Sequence, residues 1–239
     1  MITYQNTAWQ EALPHAASVD LAICDPIYAD PDLSYIRCVA ETLKPGGSVY
    51  VFADSSGVAQ TKLELDNQPN LHFQNWLIWG PNDWGGRSKT RWGQKHDDIL
   101  FYTRVGAPHC FNGDAVAVPK MMTQAVFNPS GRSTKIPHSV WSDLAGFATT
   151  SSERVRINGV SIRWQKPEKV IERIVLASSQ PGDLVWVPFA GVATVPVVCR
   201  RLQRECWATE LDSVVWAAGF ERMKQQELIH NGEASTTQT

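Results

Sequence analysis

Residues 18–28 read Ser-Val-Asp-Leu-Ala-Ile-Cys-Asp-Pro-Ile-Tyr, and the fold turns on this stretch. Val19 to Cys24 is short and apolar and halts at Asp25-Pro26, the pattern of a buried strand leaving its sheet. Just beyond, Asp30-Pro31 offers an N-cap with proline at the first helical position, and Leu33, Ile36, Ala40 and Leu43 share one helical face. Lys44-Pro45-Gly46-Gly47 is expected to end that helix, and residues 48–53 (SVYVFA) form the next strand. Strand, helix and strand in this order make a βαβ unit, which predicts a parallel sheet with right-handed crossovers.

Working outward, residues 75–79 (NWLIW) and 98–103 (DILFYT) are further strand candidates. From 104 to 160 no period persists, and proline, glycine and polar residues dominate; an irregular insertion with room for short strands is expected there. Regularity returns at Pro167, where Val170, Ile171, Ile174, Val175 and Ala177 make a helical stripe closed by Gln180-Pro181-Gly182-Asp183. A strand over 184–187, a helix over 194–202, a strand over 205–211 and a final helix over 213–226 follow. The expected division is a first half (1–103), an insertion (104–160), a second half of the same domain (161–230) and a disordered tail (231–239).

Composition sets bounds on this plan. With 239 residues, 43% hydrophobic and 19% charged, the chain suits one large α/β domain rather than a disordered segment. Neither a signal pattern nor an apolar stretch of membrane-spanning length is present, so a soluble, cytoplasmic protein without a membrane partner is expected. Five scattered cysteines with no CxxC pair read as reduced thiols, not a disulfide scaffold or a zinc site, and Cys24 at the end of an apolar run reads as core. His96, His109 and His138 lack metal-ligand spacing, so no metal is expected. The formal net charge of −2 gives no global pull toward a polyanion, so any nucleic-acid contact must come from local clusters. One such cluster is Arg87, Lys89, Arg91 and Lys95, interleaved with Trp84 and Trp92; a solvated basic loop is the plainer reading of the same residues.

Three features carry chemistry. Asp25-Pro26-Ile27-Tyr28 follows a strand; residues 187–194 (VPFAGVAT) run from a strand through a turn into a helix; and Glu210-Leu211-Asp212 ends the next strand. An acidic residue about 20 positions beyond such a turn is how a nucleoside-binding βαβ unit holds ribose hydroxyls. Each feature is weak alone: Asp-Pro is a common turn, and one glycine is a poor nucleotide fingerprint.

Together, and in this order, they resemble the amino-group DNA methyltransferases whose DPPY-type motif precedes the cofactor motif. The likeness takes in Ser18 to Tyr28, Lys44-Pro45-Gly46-Gly47, residues 95–101 (KHDDILF), Gln165-Lys166-Pro167, Pro181-Gly182-Asp183, residues 187–194 and Glu210-Leu211-Asp212. Ile27 replaces the second proline of the catalytic motif, Val187 stands where an acid is usual, and Val192 and Ala193 replace serine and glycine. Asn6 and Thr7 stand near where a Gly-Asp pair is common. The insertion takes the place of a target-recognition region.

The resemblance implies a Rossmann-like, mostly parallel doubly wound sheet. It also implies S-adenosylmethionine as methyl donor, double-stranded DNA as partner and a bacterial or phage setting such as restriction–modification. Asp25 and the Pro26 carbonyl would accept hydrogen bonds from the exocyclic amine, and Tyr28 would stack on the flipped base. Asp25, Pro188, Phe189, Ala190, Gly191 and Thr194 would line the cofactor site, Glu210 would hold the ribose, and Lys166 would meet the cofactor carboxylate. Arg87, Lys89, Arg91 and Lys95 would grip DNA. An acidic first residue in the catalytic motif favours adenine over cytosine. A silent, methyltransferase-like binding subunit stays open, as does a homodimer; a nicotinamide-binding protein lacks its glycine fingerprint.

Overall fold

The computed structural model describes residues 1–28, 32–80, 89–90, 92–120, 132–146, 151 and 153–236. In chain order the elements begin β1 (Ile2–Asn6), β2 (Val19–Cys24), α1 (Tyr35–Thr42), β3 (Leu43–Ala53), α2 (Val58–Asp66), β4 (Leu71–Trp79) and β5 (Asp97–Arg104). Five two-residue strands follow: β6 (Val118–Pro119), β7 (Thr134–Lys135), β8 (Val140–Trp141), β9 (Arg156–Ile157) and β10 (Val160–Ser161). The chain then forms α3 (Glu168–Ser178), β11 (Leu184–Val187), α4 (Thr194–Arg201), β12 (Glu205–Glu210) and α5 (Ser213–Thr236).

Eight strands make one sheet in the order β1-β12-β11-β2-β3-β5-β4-β8. Neighbours are parallel except at β5, which runs against both β3 and β4. Helices cover both faces, so β2 is apolar at nearly every position rather than alternating with polar residues. Leu21 and Ile23 pack with Ile171, Ile174 and Val198 of α3 and α4, whereas Val19, Ala22 and Cys24 join Ile36 and Val39 of α1. The parallel pairing expected from the βαβ pattern and the doubly wound sheet that the resemblance implies are what the chain forms.

The topology makes a crevice at one place. From β2 the chain winds through α1 to β3, and from β11 it winds the other way through α4 to β12. The first strands of these two units are neighbours, paired at Val185 with Leu21 and Trp186 with Ala22. Loops leaving their carboxyl ends therefore diverge, which opens a binding cleft at the switch point.

Several boundaries differ from expectation. The helix ends at Thr42, and Lys44-Pro45-Gly46-Gly47 is an irregularity inside β3. The register jumps there from Val19–Leu43 to Leu21–Ser48, with Gly46 at φ +79°. A Cβ on Gly47 would sit 3.0 Å from the Val19 carbonyl oxygen, so this close approach needs glycine. The insertion is tied to the main sheet through β8, which lies parallel on β4 and buries Trp141 in the principal core. The final helix continues to Thr236, where a disordered tail was expected from 231 onward. Gly232 is the weakest helix former between Gln226 and Thr236, and no proline intervenes to break the backbone hydrogen bonding. Among the described residues no helix is long and apolar enough to cross a membrane.

Candidate active site

The crevice between the ends of β2 and β11 is a cavity of about 630 Å³. Every residue singled out for the catalytic and cofactor groups lines it: Asp25, Pro26 and Tyr28 from the β2 side, and Pro188, Phe189, Ala190, Gly191, Thr194 and Glu210 from the β11–β12 side, with Lys166 between. Residues more than 160 positions apart in sequence thus share one wall-to-wall space.

On the β11 side, the turn is held by hydrogen bonds that leave its cleft face open. The Gly191 N–H donates to Glu210 Oε2 (2.9 Å), and the Asp212 N–H donates to Oε1 of the same carboxylate (2.9 Å). Tyr4 Oη donates to the Gly191 carbonyl (2.6 Å). Gly191 has φ +52°, and a Cβ there would meet nothing within 4 Å, so the backbone itself faces free space. A bare turn beside a carboxylate and an apolar wall at Phe189 fits a nucleoside-bearing ligand.

On the β2 side, Asp25 is part of a polar cluster with Tyr28, Lys166 and Asp97. Tyr28 Oη donates to Asp25 Oδ1 (2.7 Å). Lys166 Nζ donates to Tyr28 Oη (2.9 Å) and pairs with Asp25 Oδ1 (3.0 Å) and Asp97 Oδ2 (3.3 Å). Burial raises the Asp97 carboxyl above its ordinary range, with Asp25 and Asp98 adding to this against the opposing pull of Lys166. Burial and then the charge of Asp25 push the Tyr28 phenol well up. For Lys166, burial alone would favour the neutral amine, but Asp25 and Asp97 outweigh it and the ammonium is held. Cys24 beside this cluster is a fully buried thiol with its acidity suppressed, first by burial and then by Asp25, which suits packing rather than nucleophilic attack.

A family model described as DNA methylase, of the N6/N4 methyltransferase group, matches residues 19–227. The chain belongs to this family. Its sequence is 30% identical over 206 residues to the type II methyltransferase M.HpaI of Haemophilus parainfluenzae, spanning 78% of this chain and 62% of that protein. It is 27% identical over 234 residues to the DNA adenine methyltransferase YhdJ of Escherichia coli K12, spanning 87% of this chain and 77% of that one. A crystal structure of M1.HpyAVI in complex with SAM shares the fold, with a TM-score of 0.65 and 19% identity over 93% of this chain and all of that one.

Seen as a DNA methylase, the chain's departures in the cofactor turn have packing reasons. Val192 is 3% exposed and sits in an apolar cluster with Ile162 and Val215, against which Ile157 of β9 also packs. A serine there would leave that cluster without its central contact. Ala193 occupies the left-handed conformation at φ +63°, so the turn keeps the shape that glycine would give at some steric cost. Val187 is 1% exposed within the core strand. Asn6 Nδ2 donates to the Glu210 and Leu211 carbonyls, fixing the end of β12, and Thr7 lines the cleft.

The helix α5 also presses on this turn through Gly219. A Cβ there would stand 2.6 Å from Tyr4 Oη and 3.0 Å from the Val192 carbonyl carbon. Gly219→Ala is therefore expected to destabilise the protein by about 1–2 kcal/mol, because overpacking strain of ~2–3 kcal/mol exceeds the ~1 kcal/mol gained in helix propensity. Thermal unfolding checks this; a melting temperature equal to or above that of the wild type would show that the contact relaxes freely.

Two placements were not legible. Asp97 was not singled out, although it lies in the matched block 95–101. It meets Lys166 because β5 is antiparallel, so its first residue lies at the edge where the parallel strands end. Lys166 lines the expected cavity, but its ammonium is engaged with Asp25, Asp97 and Tyr28. Of the basic loop, Lys89 and Lys95 are exposed, as is Trp92 (98%), while Arg87 and Arg91 lie outside the described residues.

Proposed function

We propose that this chain transfers a methyl group from S-adenosylmethionine to the exocyclic 6-amino group of adenine in double-stranded DNA. The observation that carries the reading is the meeting of the Asp25-Pro26 acceptor pair and the Gly191–Glu210 turn across one cavity. M1.HpyAVI, which shares the fold, has been crystallised with SAM, which supports the same donor here.

When bound, S-adenosylmethionine supplies an electrophilic methyl group on a sulfonium. The chain's own residues prepare the amine. Its lone pair is delocalised into the base ring, so it must be localised and aimed. Asp25 Oδ1 takes both Tyr28 and Lys166, which turns Oδ2 to one N–H of the amine, and the Pro26 carbonyl accepts the other. As the nitrogen–carbon bond forms and the carbon–sulfur bond breaks, positive charge grows on nitrogen and the Asp25 carboxylate stabilises it. The departing proton leaves through Asp25 to water. The base reaches this position by leaving the duplex, with Tyr28 on the cleft wall beside it. Lys89 and Lys95, with Arg87 and Arg91, would hold the phosphates.

Adenine is favoured over the 4-amino group of cytosine by the acidic first residue of the motif and by the likeness to YhdJ. The test is incubation with DNA and methyl-labelled S-adenosylmethionine, followed by nucleoside mass spectrometry. Labelled N6-methyldeoxyadenosine is expected. Labelled N4-methyldeoxycytidine would replace adenine by cytosine. No label, together with no calorimetric binding of the cofactor, would leave the silent binding subunit as the reading.

A further inference from the structure

We infer that Lys166 is a positioning residue for the amine acceptor: its buried ammonium is the counter-charge beside Asp25 and fixes which carboxylate oxygen meets the base, with Asp97 anchoring the lysine. This rests on the function proposed above and adds to it the charge role of Lys166 and the anchoring by Asp97. The geometry is specific. Lys166 is 8% exposed, yet it has three oxygen partners at 2.9, 3.0 and 3.3 Å and lies over the rings of Tyr28 (5.2 Å) and Phe52 (5.1 Å). A cofactor carboxylate would have to compete for an ammonium that already has three protein oxygens within 3.3 Å, as many as it has donors.

The surroundings make the counter-charge necessary. Asp25 and Asp97 converge on one ammonium, and two carboxylates sharing a buried site cannot both ionise without it. Among the described residues, the other titratable groups facing the cluster are Tyr28 and Cys24 near the end of β2, Tyr35 on α1, Asp54 after β3, and Asp98 on β5. None of these brings positive charge. Asp98 is itself occupied by the Trp76 indole N–H (2.7 Å), with His96 Nε2 3.7 Å away. If Lys166 is removed, the two carboxylates lose their shared counter-charge, and the pair should hold a proton to higher pH than in the wild type. A protonated Asp25 is a poorer acceptor for the amine and no longer stabilises its developing charge.

Three variants test this on the full chain, with S-adenosylmethionine and DNA as probes. Lys166→Met should move the acid limb of the pH–kcat profile upward by about one unit or more while changing the cofactor Kd less than about threefold. Lys166→Arg, which keeps the charge, should hold the limb near its wild-type position even if the rate falls. Asp97→Asn in the Lys166→Met background should move the limb back down, since one negative charge is gone. A cofactor Kd raised tenfold or more with an unmoved limb overturns the proposal in favour of a direct cofactor contact. If Lys166→Met does not fold, Asp97→Asn alone decides: its limb should lie at or below that of the wild type, and an upward shift overturns the proposal.

A readout without catalysis separates this from the enzyme reading. Carboxylates with raised folded-state pKa stabilise the protein below their unfolded value near 4, and that contribution is lost as pH rises through the folded value. The melting temperature of Lys166→Met should therefore fall further behind the wild type between about pH 4 and 8, and Asp97→Asn should narrow the gap. Parallel curves overturn the proposal. A wild type that methylates no DNA overturns the proposed function instead, with the curves still reporting on the charge cluster.

Discussion

Asp25→Asn is expected to leave a folded chain that binds cofactor but transfers methyl groups about 10³-fold more slowly, the magnitude seen when one fixed group aimed at developing charge is lost. The substitution keeps the size of the side chain, so the cleft wall should hold its shape. Its chemistry reverses at one atom. Tyr28 and Lys166 both donate toward Oδ1, so the amide must turn its oxygen to them. The amide nitrogen then faces the substrate amine, donor against donor, and the carboxylate charge is gone as well. Lys166 keeps Asp97 as a partner, which limits the cost in stability. Single-turnover transfer of labelled methyl, run beside thermal unfolding, checks both halves. Transfer at the wild-type rate would remove Asp25 from the site.

The same residues explain what could be read in advance. The βαβ unit was legible because β2 and the second half of β3 are buried on both faces, so their apolar runs have no competing period. β1 was not, since its ITYQN pattern buries Tyr4 alone and owes its place to pairing with β12. The α2 sequence VAQTKLELD buries only Val58, Thr61 and Leu65, too few for a stripe. The insertion hid a legible signal: Asn158-Gly159, both at positive φ, makes the tight turn between β9 and β10. That hairpin spans residue 160, where the insertion was expected to end. In the site, Asp25 follows β2 and Glu210 closes β12, so both stand at carboxyl ends of strands and declare themselves. Asp97 opens its strand, and only the reversed direction of β5 brings it to Lys166. A residue whose role depends on strand direction is invisible to local pattern.

Glu210→Ala is expected to raise the Kd for S-adenosylmethionine about 10- to 100-fold while leaving the rate at saturating cofactor within severalfold. Hydrogen bonds to a charged group are worth roughly 1.5–3 kcal/mol, and each 1.4 kcal/mol is tenfold in affinity. Each Glu210 oxygen accepts one backbone N–H, from Gly191 and from Asp212, and retains capacity for a ribose hydroxyl. The fold should survive, because Asn6 grips the β12 end through the Glu210 and Leu211 carbonyls rather than through the carboxylate. What alanine also releases is the Gly191 N–H, so part of the loss would come from a loosened turn. Glu210→Gln separates the two contributions: one oxygen remains for the Gly191 N–H, while the second acceptor becomes a donor. A Kd near that of the wild type for Gln and a weak one for Ala would mean that the residue acts by holding the turn. Similar weakening in both would mean direct contact with the ligand, and an unchanged Kd in both would move the ribose away from the end of β12.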